Sequence, residues 1–152
     1  LVGSEMCIRD SFCSIGTNDL IQYTMAADRL SADLFELTDP WQPAGLRLIN
    51  SVIEAAKKCG KTVSICGESA SDPYLAQVFV GMGVDALSMV PSAVPEVGVV
   101  LEKWDMHHYQ ELAQEVLKAE GAHHARRIAA DFFAQLKEDE GAVGELPAEM
   151  TG

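Results

Sequence analysis

Basic residues are scarce: the 152-residue chain carries 11 Lys and Arg against 23 Asp and Glu, a formal net charge of -12. Such a surface repels a phosphate backbone, so no nucleic acid partner is expected. The four cysteines, Cys7, Cys13, Cys59 and Cys66, contain no C-x-x-C pair. Neither a zinc knuckle nor a disulfide framework is expected, and the usage suits a reducing cytoplasm. No apolar run reaches the ~20 residues of a membrane-spanning helix. Leu1 to Asp10 places Glu5, Arg9 and Asp10 where a signal peptide needs an unbroken apolar stretch. Neither membrane insertion nor export is therefore expected. Internal repeats and low-complexity tracts are absent. What is present is ordinary globular composition, 48% hydrophobic and 22% charged, in a length that fits one domain and can bury a core.

Phe12 to Ile15 is a short apolar run closed by Gly16, which reads as a buried strand, and Thr17-Asn18-Asp19 after it reads as a polar turn. Between Pro43 and Lys58, the residues Ile49, Val52, Ile53 and Ala56 recur at helical spacing, and Lys57, Lys58 and Gly60 form a favourable helix end. Thr62 to Cys66 is a second strand. Asp72-Pro73 then supplies an N-cap and first-turn proline for a helix with Leu75, Val78, Phe79 and Met82 on one face, ended by Gly83. Val84 to Met89 is a third strand, followed from Pro95 by a helix that turns Val97, Val100, Leu101 and Trp104 inward.

Strands alternating with helices predict an α/β fold with parallel pairing through right-handed crossovers, both sheet faces covered. Three strands are too few to close a barrel, which uses about eight strands in ~250 residues, so part of the domain is expected to be missing. Beyond Trp104, one amphipathic segment carries Leu112, Val116 and Leu117 and another carries Ile128, Phe132, Phe133 and Leu136. With Gly121 between them, these predict a helical hairpin. Glu138 to Gly152 is acidic and lacks an apolar stripe, which predicts a disordered tail.

Reactive groups in parallel α/β folds gather beyond the carboxyl ends of the strands. All three polar junctions, Gly16 to Asp19, Cys66-Gly67-Glu68 and Ser88-Met89, fall there. Asp19 offers a hard carboxylate oxygen suited to Mg²⁺, and Asn18 an amide able to donate to a phosphate oxygen, although an Asx turn leaving a strand would look the same. Arg29 is either a solvated surface charge or a forked phosphate ligand that requires the chain to fold back toward Asn18. Cys66 is either a buried inert thiol or a group that moves a proton at a substrate carbon. Glu68 fits a supporting role or a cap. The pairs His107-His108 and His123-His124 read as solvated helix faces, because adjacent helical side chains point about 100° apart.

Taken together, the run Ser14-Ile15-Gly16-Thr17-Asn18-Asp19-Leu20-Ile21-Gln22-Tyr23-Thr24-Met25-Ala26-Ala27-Asp28-Arg29 closely resembles the signature of the phosphoenolpyruvate-protein phosphotransferases, enzyme I of the bacterial sugar phosphotransferase system. The resemblance continues in order through Ile65-Cys66-Gly67-Glu68, Gly81-Met82-Gly83-Val84-Asp85 and Leu87-Ser88-Met89, from about Ser11 to Trp104. Pyruvate phosphate dikinase and phosphoenolpyruvate synthase share the Asn-Asp and Cys-Gly elements. Gln22-Tyr23 with Ala27-Asp28-Arg29 look more like enzyme I.

This resemblance implies a phosphoenolpyruvate-binding (β/α)₈ TIM-type barrel, of which the chain carries the last three strands plus a C-terminal helical extension. Asp19 would bind Mg²⁺, Asn18 and Arg29 would hold the phosphoryl group, and Cys66 would protonate the enolate to release pyruvate. It further implies a histidine-containing phosphocarrier protein as partner through a domain not in this chain, a homodimer in the whole protein and a role in sugar uptake. The expected divisions are 1–10, which does not resemble the barrel and reads as a gene-model artefact, 11–104 as partial barrel, 105–137 as helical extension and 138–152 as tail. Lacking the family's other metal-binding glutamate and its acceptor histidine, the chain alone is expected to be inactive. Two alternatives stand beside this: a fragment of a dikinase or synthase, and a stand-alone partial barrel acting as an interaction module.

Overall fold

The computed structural model describes residues 12–28, 30–34 and 36–143. Three strands, β1 (Phe12–Gly16), β2 (Thr62–Cys66) and β3 (Ala86–Ser88), form one parallel sheet in the order β1-β2-β3. Six α-helices accompany them: α1 (Thr17–Met25), α2 (Pro43–Lys58), α3 (Pro73–Met82), α4 (Val94–Leu101), α5 (Met106–Leu117) and α6 (Ala122–Val143). The chain is therefore α/β with parallel strands and a helical hairpin after them, as the alternation predicts.

Four details differ from the expectations. Thr17-Asn18-Asp19 is the first turn of α1 rather than a free turn, because Gly16 takes the N-cap position and Ile21 buries one turn on, while Asp19 favours the positive end of the helix. The third strand is only Ala86–Ser88, since Asp85 is spent locking its entrance: its backbone N–H donates to the Val63 carbonyl (2.9 Å) and its carboxylate accepts the Val63 N–H (2.7 Å). Helix α6 runs on to Val143, past the boundary at 137, through a stretch with no proline to stop it; residues 144–152, like Leu1–Asp10, lie outside the described residues. Among the described residues the sheet is also covered on one face only. Ile15, Val63 and Ile65 turn into the core, whereas the opposite face carries Phe12, Ser14, Gly16, Thr62, Ser64, Cys66, Ala86 and Ser88, none of them buried.

On the covered face the core joins Leu46, Ile49 and Ile53 of α2, Leu75, Val78 and Phe79 of α3, and Leu112 and Val116 of α5, all fully buried. Trp41, just before α2, completes it and donates from its indole to Asp72 (3.3 Å). Asp72 also caps α3 by accepting from the Tyr74 and Leu75 N–H groups, as Asp72-Pro73 predicts. Arg47 donates to the carbonyls of Leu117 and Ala119 at the end of α5, where a cation suits the helix dipole.

Tyr109 splices α4 to α5. Its hydroxyl donates to the Val100 carbonyl (2.8 Å) and accepts from the Trp104 N–H (3.2 Å), and the side chain is 2% exposed. Burial pushes this phenol above the ordinary tyrosine value, with the Trp104 N–H pulling the other way. The folded chain thus holds the proton more tightly than the unfolded chain, whose tyrosines titrate near ~10. The stabilisation is complete below about pH 10 and is lost as pH rises through the higher folded value. Thermal melts should show a stability loss beginning near that pH, and Tyr109→Phe should flatten it while costing about 1 kcal/mol at neutral pH for the lost hydrogen bonds.

Candidate active site

The register of the sheet sets the site. Gly16 lies opposite Cys66 and Cys66 opposite Ser88, so the three strands end level. The residues that follow each strand share one rim. A cavity of about 650 Å³ opens there, lined by Asn18, Cys66, Gly67, Glu68 and Ser88 together with Met89.

Asn18, half-buried, is in the first turn of α1, and that turn is tied to the end of β2 by hydroxyls. Buried Thr17 donates to the Cys66 carbonyl (3.1 Å) and accepts from the buried Ser69 hydroxyl. Gly67 makes the close approach possible. Its φ is +114°, and a Cβ there would stand 2.7 Å from Thr17 Oγ1 and 3.3 Å from Asn18 Oδ1. Only glycine lets Asn18 and Cys66 line the same cavity in this arrangement.

Cys66 is partly buried on the uncovered face of the sheet, with its Sγ donating to the Ile15 carbonyl (3.5 Å) and accepting from Ser14 Oγ (3.7 Å). The thiol is thereby held at the cavity wall from the neighbouring strand. Asp19 is exposed in the first turn of α1 and is not among the residues lining this cavity. Arg29 lies outside the described residues.

A second cavity of about 420 Å³ shares Asn18 and Glu68 with the first and adds Ile21, Thr38, Asp39 and Arg126. Sequence reading missed Arg126. It comes from α6 and grips Asp39 with both arms of its guanidinium, the longer bond being 2.8 Å, while lying 5.9 Å above the Trp41 ring. Eighty-seven positions separate the pair, and no local spacing announces it. Ser14, Thr17 and Ser69 were missed for a similar reason: small hydroxyls look alike until their neighbours are known.

The rim offers an amide donor, a thiol and the carboxylates of Asp19 and Glu68. Arg126, the basic residue among the described lining of these cavities, is already occupied by Asp39. Asp19 is chemically suited to a hard divalent cation, as one member of a larger donor set.

The family described as PEP-utilising enzyme, PEP-binding domain, matches residues 1–106. The chain is 46% identical over 118 residues to a phosphoenolpyruvate-protein phosphotransferase of Streptomyces coelicolor, covering 78% of this chain and 21% of that protein. Identity is 41% over 123 residues to the phosphoenolpyruvate-protein phosphotransferase of Latilactobacillus sakei, with 80% and 21% covered. A multiphosphoryl transfer protein of Xanthomonas campestris is 41% identical over 124 residues, with 82% and 15% covered. The chain thus spans about a fifth of the length of the two phosphotransferases. With the match running from the first residue through the whole sheet and its rim, the chain belongs to the PEP-utilising enzymes, within their PEP-binding domain.

Proposed function

We propose that this chain is part of a phosphoenolpyruvate-protein phosphotransferase, contributing the last three strands and one wall of the active site to a (β/α)₈ barrel. The observation that carries this is the level ending of β1, β2 and β3, which puts Asn18, Cys66 and Ser88 around one 650 Å³ cavity. Two features support the barrel. The sheet face opposite the helices, with Phe12, Ser14, Ser64 and Cys66, is not buried, as the lumen face of strands parted from the rest of a barrel would be. An apolar groove of about 540 Å³ also runs beside β3, lined by Val80, Val84, Leu87, Val94, Val97 and Leu101, where the next strand and helix would pack.

In this reading Asn18 donates to the phosphoryl oxygens, Arg29 pairs with them, and Asp19 contributes a ligand to Mg²⁺. When bound, Mg²⁺ neutralises charge on the phosphoryl oxygens, which this acidic rim cannot do by itself. Phosphoryl transfer to an enzyme histidine leaves the enolate of pyruvate. Cys66 then gives its Sγ proton to the methylene carbon, forming the C–H bond and leaving a thiolate that solvent reprotonates. Ser14 and the Ile15 carbonyl hold the sulfur while this happens. The phosphohistidine passes its group to a histidine-containing phosphocarrier protein through another domain. The whole protein is cytoplasmic and a homodimer serving sugar uptake. Among the described residues no helix is long and apolar enough to cross a membrane. The relatives' names favour this enzyme over a dikinase or synthase.

The test uses the intact gene product, incubated with Mg²⁺ and phosphoenolpyruvate labelled with ³²P. Acid-labile label on the protein and stoichiometric pyruvate are expected, with the label passing to a phosphocarrier protein and both signals abolished by Asn18→Ala. Label that passes from the protein to nucleotide when AMP is supplied, and not to a phosphocarrier protein, would assign the chain to a dikinase or synthase instead.

A further inference from the structure

We propose that Asp105, His107 and His108 form a binding site for one divalent transition-metal ion of the zinc, nickel or copper class, at the start of α5. One ligand atom from each of the three lies within 4.8 Å of the others, the one such group of His, Cys, Asp or Glu among the described residues. The site shares no residue with the rim at Asn18 and Cys66.

The local chain explains the cluster. Asp105 stands at the N-cap with extended backbone, yet its carboxylate makes no capping hydrogen bond, so the helix does not consume it. His107 and His108 follow in the first turn. Instead of diverging as adjacent helical residues would, their rings approach with centroids 3.7 Å apart, tilted by 38°. His108 is held from behind by the edge-on ring of Trp104 at 6.0 Å.

A second feature sets His108 apart from the other histidines. His108 Nδ1 is shut off from solvent and has no hydrogen-bond partner in the structure. An unpaired buried nitrogen costs about 1–3 kcal/mol, so this imidazole is not held in place by a hydrogen bond at Nδ1. The opposite pair provides the contrast. His124 Nδ1 accepts from the Glu120 N–H at 3.4 Å, and His123 and His124 join no third donor of this kind.

Donor chemistry selects the ion. Two imidazoles and one carboxylate suit zinc, nickel or copper, whereas Mg²⁺ and Ca²⁺ take mainly oxygen. Zinc bonds of about 2.0–2.2 Å require donors closer together than they stand here, and the exposed Asp105 and His107 can rotate inward onto the better-held His108. Three protein ligands leave a position open to water. The positive helix N-terminus opposes a cation by about 0.3–1 kcal/mol, and the adjacent Asp105 carboxylate counters it.

Zinc titrated into the ¹⁵N-labelled 152-residue chain, read on the imidazole nitrogens, tests the site without interference from thiols that also take zinc. The expected result is that His107 and His108 resonances shift and saturate at one equivalent while those of His123 and His124 stay. Asp105→Asn and His107→Ala, both exposed substitutions, should each weaken binding roughly tenfold or more and leave the melting temperature of the metal-free chain unchanged. All four histidines moving together, none moving, or saturation unaffected in both variants would overturn the proposal. Because neither variant touches the rim, the outcome is independent of the phosphotransferase reading.

Discussion

Gly81→Ala should lower the stability of this chain by about 3 kcal/mol or more, the upper range for overpacking a core. Gly81 faces α5 from α3, and a Cβ there would stand 1.9 Å from the Tyr109 carbonyl oxygen, 2.5 Å from its carbon and 3.0 Å from Ala113 Cβ. The first two obstacles are backbone, so no side-chain rotation makes room. The helices must separate, and with them the buried contacts of Leu75, Val78 and Phe79 with Leu112 and Val116. In a chain of this size 1 kcal/mol moves the melting temperature by about 2–4 °C, so a fall of roughly 6–12 °C is expected. Gly98→Ala in α4 is the control, because nothing lies within 4 Å of the added methyl. It should be neutral or slightly stabilising. A Gly81 variant melting within about 2 °C of the parent would show that α3 and α5 are not packed as closely as described.

Cys66→Ala in the intact enzyme should cut pyruvate formation about 10²- to 10⁴-fold while leaving phosphoenolpyruvate binding nearly unchanged. The thiol is held by hydrogen bonds from β1, so its loss removes a proton donor without removing a support for the sheet. Equilibrium binding of phosphoenolpyruvate and steady-state pyruvate release, measured side by side, separate the two effects. A turnover within about threefold of the parent would assign the proton to another group or to water, a result incompatible with general acid catalysis by Cys66.

Much of the scaffold was legible because its signals are local. Asp72-Pro73 announced the start of α3, Lys57, Lys58 and Gly60 the end of α2, and the apolar run from Thr62 to Cys66 the central strand. The convergence of three strand ends followed from their parallel order alone. Helix α1 was not legible, since Thr17-Asn18-Asp19 has turn composition and its helical start depends on the burial of Ile21 one turn on and of Thr17 against Cys66 and Ser69. The same holds for His107 and His108. Their spacing predicts divergence, and Trp104 beside them gives a different answer. Family resemblance supplied roles for Asn18, Asp19, Arg29 and Cys66, but the hydroxyls and the guanidinium that surround the rim required coordinates.

The grip of Arg126 on Asp39 gives the site an order of completion. Ribosomal synthesis delivers β1, Asn18 and the segment around Asp39 before β2 with Cys66, and α6 after both. Until Arg126 emerges, the segment that forms one wall of the second cavity has no charge partner to fasten it and Trp41 lacks its stacked cation. A nascent chain arrested before Ala122 would hold β1, β2 and β3 yet leave this side of the mouth unlatched. The helical extension therefore acts as a late stitch, fastening this side of the mouth from a segment made after all three strands.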